Sequence, residues 1–242
     1  SLNELTGIAA QSNADAGRLE ALGATVVEVT GNLKFDIMPG AALLAQGKAW
    51  RAAWGRSRPV LLLASTREGE EALLLEALQD VAIPQLLTVI VPRHPQRFDE
   101  VAALLERKGV PFQRRSTGQA IAAQTRVVLG DTMGEMFAYY AACDVAVIGG
   151  SLLPFGAHNL IEACAVGRPV IIGPHTYNFA EATQFAVAAG AALRVEDARS
   201  AIAAACELLR DPERAQRMAR AGLDFARRHQ GATDKILRML KF

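Results

Sequence analysis

The sequence predicts an α/β protein built on a doubly wound, Rossmann-like parallel sheet, and three observations predict it. Strand-like and helix-like segments alternate along all 242 residues. Several of the strands, Val60-Leu61-Leu62-Leu63-Ala64 and Leu86-Leu87-Thr88-Val89-Ile90-Val91 among them, are continuously apolar rather than alternating, the pattern of a sheet covered on both faces by helices. The unusual polar residues fall directly after those strands, where ligands bind in an open parallel sheet.

Residues 7 to 10 and 26 to 29 read as short apolar strands on either side of a helix at 13 to 22, an N-terminal βαβ-like remnant. Ile37-Met38-Pro39-Gly40 breaks the pattern with Pro and Gly and reads as a linker. Residues 1–36 are therefore expected to be the tail of a preceding domain, and 41–242 one main domain that includes the C-terminal helices. After the linker come a helix at 41 to 53, a strand at 60 to 64 and a helix at 69 to 80 whose start carries Glu68 and Glu70, acids that complement a helix dipole. Strands at 86 to 91, 126 to 129, 144 to 148, 169 to 172 and 191 to 194 then alternate with helices at 97 to 108, 134 to 141, 159 to 166 and 179 to 189. Helices at 197 to 209, 213 to 228 and 232 to 240 close the chain. The opening without an initiator Met suggests a fragment, and exposed strands in 1–36 invite pairing with a second copy.

Hydrophobic residues make up 51% of the chain, enough for a sizeable core, and the net charge of +1 gives no field for nucleic acid. From Arg199 to Phe242 ten Lys and Arg stand against five Asp and Glu. That excess fits solvated helix faces, and it also fits peripheral contact with an anionic membrane surface. Cys143, Cys164 and Cys206 lie in apolar surroundings without metal-ligand spacing and read as reduced core residues. No apolar run reaches membrane-spanning length.

The most informative stretch is Gly149-Gly150-Ser151-Leu152-Leu153-Pro154-Phe155-Gly156-Ala157-His158, followed by Asn159 and Glu162. A glycine-rich turn between a buried strand and a helix aims backbone N–H groups at one point, suited to a phosphate. Glu162, one turn into the helix, is placed to accept hydrogen bonds from sugar hydroxyls, and Asn159 to cap the helix. Ser65-Thr66-Arg67 after one strand reads either as a helix cap or as substrate contact. Pro92-Arg93-His94-Pro95, stiffened by two prolines, favours anion binding. Met133-Gly134-Glu135 is placed to form the wall and hydrogen-bond partner of a base, or merely to start a helix. His94, His158 and His175 are spaced irregularly and no Asp-x-Asp pair is present, so no metal site and no cofactor are expected.

Together with Thr30-Gly31-Asn32-Leu33-Lys34-Phe35-Asp36 and Gly173-Pro174-His175-Thr176-Tyr177-Asn178-Phe179, these motifs resemble the Kdo transferases, which move 3-deoxy-D-manno-octulosonic acid (Kdo) from its CMP ester to the lipid A precursor. Five motifs in the right order cover almost the whole chain. The resemblance implies the C-terminal, donor-binding half of a GT-B glycosyltransferase, preceded by the tail of the acceptor half. It implies an inverting, metal-independent enzyme of lipopolysaccharide biosynthesis at the cytoplasmic side of the bacterial inner membrane. It also implies a catalytic base in the domain before this chain, so that no residue here is catalytic and the chain alone is inactive.

By the same resemblance the donor-binding residues are Ser65, Thr66, Arg67, Pro92, Arg93, His94, Met133, Gly134, Glu135, Gly150, Ser151, His158, Asn159 and Glu162. Glu162 and Asn159 would meet ribose and phosphate, Met133 to Glu135 with Pro92 the cytosine, and Arg93, Ser65, Thr66 and Arg67 the phosphate or the sugar carboxylate. Two positions depart from the family pattern: Arg67 stands where His is usual, and Gly156-Ala157-His158-Asn159-Leu160 replaces Gly-Gly-His-Asn-Pro. Other readings are a GT-B protein using a UDP-sugar, whether transferase or epimerase, and a nucleotide-binding module without catalysis.

Overall fold

Two compact units divide the chain in the computed structural model, which describes residues 2–240. One unit takes the residues up to Met38 together with those from Ala226 onward, and the other takes Pro39–Phe225. The first unit opens with β1 (Ile8–Ala10), α1 (Asn13–Ala21) and β2 (Val27–Val29). Ser12 caps α1 by accepting from the Asp15 amide, and β1 pairs β2 in parallel with Ala9 opposite Glu28. The C-terminal residues of this unit differ from the sequence expectation, which placed them with the main domain. The physical reason lies at Phe35 and Asp36. Phe35 stacks on His229 with ring centroids 4.8 Å apart, and the Asp36 carboxylate accepts from the Gly231 and Thr233 amides.

The larger unit begins with α2 (Ala41–Trp54) and continues through β3 (Val60–Thr66), α3 (Glu70–Ala77), β4 (Leu87–Pro92), α4 (Phe98–Arg107), β5 (Phe112–Arg114) and β6 (Val127–Leu129). Then follow α5 (Met136–Ala142), β7 (Val145–Ile148), α6 (Ile161–Ala165), β8 (Val170–Ile172), α7 (Ala180–Ala188), β9 (Ala192–Arg194), α8 (Ala198–Arg210) and α9 (Pro212–His229). α10 (Ala232–Met239) returns to the first unit. Among the described residues no helix is long and apolar enough to cross a membrane.

The seven strands of the larger unit are all parallel, in the order β5-β6-β4-β3-β7-β8-β9. Leu61, Leu63, Ile90, Leu129, Val145, Val147 and Ile171 pack with Leu74 and Leu75 of α3, Val101 and Leu105 of α4 and Ile202 of α8. Val60, Leu62, Val89, Val128, Ala146 and Ile148, which alternate with them, are buried too. Both faces are therefore covered, which is why these strands read as unbroken apolar runs. α2 crosses α5 at Gly47, where a Cβ would stand 2.3 Å from the Ala138 carbonyl oxygen.

Two details were absent from the sequence reading. β5 is an edge strand of three half-buried residues, too short and too polar to show a pattern, and α6 spans five residues rather than eight. The consequence for function lies in the strand order. The chain leaves β3 toward β4 on one side and later returns to β7 on the other, so a crevice opens beyond the carboxyl ends of β3 and β7.

Candidate functional site

The loops after β3 and β7 meet at this crevice backbone to backbone. The Gly149 amide donates to the Ala64 carbonyl at 2.7 Å, and a Cβ on Gly149 would stand 2.4 Å from the Ser65 carbonyl oxygen. Ser65 itself takes φ 56 where β3 bulges against β4. Pro92 ends β4 buried, and the Arg93 amide donates to the Thr66 carbonyl at 3.0 Å. The loops after β3, β4 and β7 are thus fixed to one another by main-chain contacts.

Ser151 and Thr66 are placed differently from the sequence expectation of ligand contact. Both are fully buried. The Ser151 hydroxyl donates to the Ile148 carbonyl at 2.5 Å and accepts from the Gly173 amide at 2.8 Å, which ties the β7 loop to the end of β8. The Thr66 hydroxyl donates to Glu71 at 2.8 Å, and Glu71 in turn accepts from Arg97 at 3.1 Å. Burial pushes the Glu71 carboxyl above its ordinary range, against the opposing pull of the Thr66 bond and the Arg97 charge.

The glycine-rich turn also differs from a free phosphate cradle. The Glu70 carboxylate, fully buried, accepts from the Gly150 amide at 2.7 Å, the Leu152 amide at 3.0 Å and the Arg67 amide at 2.8 Å. At the start of α6, Asn159 Oδ1 accepts from the Ile161 amide at 3.1 Å. Asn159 is therefore a cap, as its residue type suggested. The N–H group of Gly150 is not available to a ligand.

Cationic and polar side chains gather instead. Arg67 lies over the Phe155 ring, 4.4 Å from its centroid, and a Cβ on Gly150 would stand 3.1 Å from the His158 ring and 3.5 Å from Arg67. Burial, reinforced by the charges of Arg93, Arg67 and His94, pushes His158 down to about 4, so its imidazole is neutral at pH 7. Its Nε2 is buried with no hydrogen-bond partner among the described residues. His94 is lowered as well, by partial burial and by Arg67, Arg93 and Arg97. Glu162 is raised by burial, while the Asn159 amide, 3.3 Å away, and the Arg93 charge oppose the rise. Arg67, Arg93, His94, His158, Asn159 and Glu162 therefore share one electrostatic neighbourhood. An anion entering it meets two guanidinium groups and an imidazole with an unused polar atom.

The loop after β6 supplies less than expected. Met133 is 58% exposed and Gly134 takes φ +81, so both lie at the loop surface. Glu135 is already engaged by Gln46 at 2.6 Å, by Arg115 at 3.0 Å and by the Thr132 hydroxyl. A carboxylate accepting from three protein donors is a poor partner for a base. Among the described residues no group of three or more His, Cys, Asp or Glu is gathered as metal ligands would be.

A family model described as Glycosyl transferases group 1 matches residues 72–225, and one described as 3-Deoxy-D-manno-octulosonic-acid transferase (kdotransferase) matches residues 1–37. The solved C-terminal CMP-Kdo binding domain of WaaA from Acinetobacter baumannii is 33% identical, with a TM-score of 0.73 over 77% of this chain and 98% of that one. The chain belongs to the Kdo transferases.

The 3-deoxy-D-manno-octulosonic acid transferase of Bordetella pertussis is 49% identical over 98% of this chain and 56% of that protein, so the chain spans about half the length of such Kdo transferases. Anabaena HepE, solved in complex with UDP and glucose, shares the GT-B fold at 16% identity and a TM-score of 0.61, over 99% of this chain and 64% of that one. Within the Kdo transferase site, Glu70 and Arg97 are the residues whose roles sequence reasoning missed. Glu70 was visible only as an acid complementing a helix dipole, and Arg97 as an unremarked residue beyond Pro95.

Proposed function

We propose that this chain is the donor-binding half of a Kdo transferase and holds CMP-Kdo in the crevice beyond β3 and β7. The observation that carries the reading is the convergence of Arg67, Arg93, His94 and His158 beside Asn159 and Glu162. CMP-Kdo brings one phosphate and one sugar carboxylate, and two guanidinium groups match two anions. Neutral His158 donates a hydrogen bond from Nε2 to a phosphate oxygen, and Glu162 accepts from the ribose hydroxyls. Ser65 lines the phosphate side. Pro92 and the main chain at Met133 and Gly134, rather than the Glu135 carboxylate, border the cytosine.

In the reaction an acceptor hydroxyl oxygen attacks the anomeric carbon, the bond from that carbon to the phosphate oxygen breaks, and the electron pair leaves with CMP. The centre inverts. Arg67 and Arg93 neutralise the charge that develops on the departing phosphate, without a metal ion in the scheme. The acceptor proton passes to a base that no residue of this chain supplies, so the chain by itself binds donor without transferring it. The acceptor is the lipid A precursor, met at the cytoplasmic side of the bacterial inner membrane. The match of residues 1–37 to the Kdo transferase model supports assigning the opening segment to the acceptor domain.

Calorimetry with CMP tests the reading. The chain should bind CMP in preference to UDP, and Arg93→Ala and Glu162→Ala should each weaken CMP by about tenfold. Unchanged affinity in both variants, or a preference for UDP, overturns it. Detectable Kdo transfer by the chain alone overturns the placement of the base.

A further inference from the structure

Glu70 stands at the first position of α3, and its carboxylate is fully buried. One oxygen, Oε2, accepts from both Gly150 and Arg67, and the other, Oε1, accepts from Leu152. These donors belong to the two loops that flank the crevice, one after β3 and one after β7. A run of main-chain N–H groups at such a place ordinarily receives a ligand anion. Here the chain supplies the anion itself.

We propose that Glu70 is a positioning residue: its carboxylate fills the N–H cradle of the glycine-rich turn, fixes the turn against the Arg67 main chain, and leaves the ligand's anions to side chains. Gly150 takes φ +67, with the His158 ring and Arg67 close to its α-carbon. The position of the turn therefore sets where both side chains stand. Glu71, its neighbour, is buried as well, but it is spent on Thr66 and Arg97. A neutral amide cannot replace the Glu70 carboxylate, because one of its two ends is a donor facing donors. The inference rests on the donor-site reading for the ligand, whereas the filling of the cradle stands on the Glu70 contacts.

The experiment uses Glu70→Gln and Glu70→Ala in the full chain, with CMP affinity by calorimetry and melting temperature each measured in sodium formate and in matched sodium chloride. Glu70→Gln should weaken CMP by about tenfold or more, since charge-assisted bonds to three amides are impaired. Glu70→Ala should lose more, and formate, a carboxylate small enough for the vacated space, should restore both affinity and melting temperature where chloride does not. Wild type should show no formate effect. CMP binding by Glu70→Gln equal to wild type overturns the proposal, and so does a Glu70→Ala defect that formate and chloride relieve equally or that neither relieves. If Glu70→Ala does not fold, the two readouts on Glu70→Gln decide. If wild type fails to bind CMP, the donor reading falls, while a formate-specific rise in the melting temperature of Glu70→Ala still reports the cradle.

Discussion

The Arg67 guanidinium lies on the face of the Phe155 ring, 4.4 Å from its centroid, so a cation from the β3 loop rests on an aromatic ring from the β7 loop. Replacing the ring by Leu keeps an apolar surface but removes the quadrupole that attracts the cation, a loss of about 0.5–1 kcal/mol at a partly exposed site. Phe155→Leu should therefore weaken CMP by about two- to fivefold with little change in melting temperature. Unchanged affinity in calorimetry would mean that the ring does not place Arg67.

Gly149 and Gly134 should respond to alanine for different reasons and by different amounts. A Cβ at Gly149 meets main-chain atoms of Ser65 and Thr66 at 2.4 to 2.7 Å, and backbone cannot swing aside as a flexible side chain can. Gly149→Ala should cost about 3 kcal/mol, the upper range for overpacking. Gly134 has open space around it but takes φ +81, so Gly134→Ala should cost only about 1 kcal/mol of left-handed strain. Urea denaturation gives both values, and the reverse order would contradict the account.

His158 predicts a pH dependence. Burial, then Arg93, Arg67 and His94, holds its folded-state value near about 4, against 6.5 for a free imidazole. The unfolded chain therefore takes up this proton first, and stability present above 6.5 is lost as pH falls toward about 4. His158→Asn should flatten that decline in denaturation curves recorded between pH 7 and pH 4.5 (values chosen to bracket the window of about two units). A decline parallel to wild type would remove His158 as its source. CMP should raise the His158 value in an NMR titration, since a neighbouring phosphate favours the imidazolium.

Glu135 should matter for stability rather than for the nucleotide. Its bonds to Gln46, Arg115 and Thr132 join α2, the segment after β5 and the loop before α5. Glu135→Gln should lower stability by about 1–2 kcal/mol while CMP affinity stays within about twofold, because a half-buried charge-assisted network is lost and no ligand contact is. A large loss of affinity at full stability would restore Glu135 to the nucleotide site.

What the sequence revealed and what it hid follow from the range of the interactions. The apolar runs at 60 to 64 and 86 to 91 announce a two-sided sheet because each residue carries its own burial signal. Arg93 and His94 were legible because Pro92 and Pro95 hold them at the end of such a strand. Glu70 was not, because its meaning depends on Gly150 and Leu152, which approach it only in the folded chain. Ser151 and Thr66 were misread for the same reason: their hydroxyls lie one residue inside the loop surface and are consumed by main-chain and acidic partners. The grouping of the C-terminal residues with the opening segment was hidden because one carboxylate, Asp36, decides it.

The bulge at Ser65 works as a parity switch. Ala64 pairs with Val91 and Thr66 with Pro92, so two residues advance on β3 for one on β4. In a strand of strict alternation a single extra residue exchanges inside for outside in everything that follows. Thr66 is thereby turned inward to Glu71 and Arg67 outward to the crevice. A chain shortened by that one serine would spell the same loop with opposite handed-in and handed-out letters, its guanidinium aimed at the core and its hydroxyl at water.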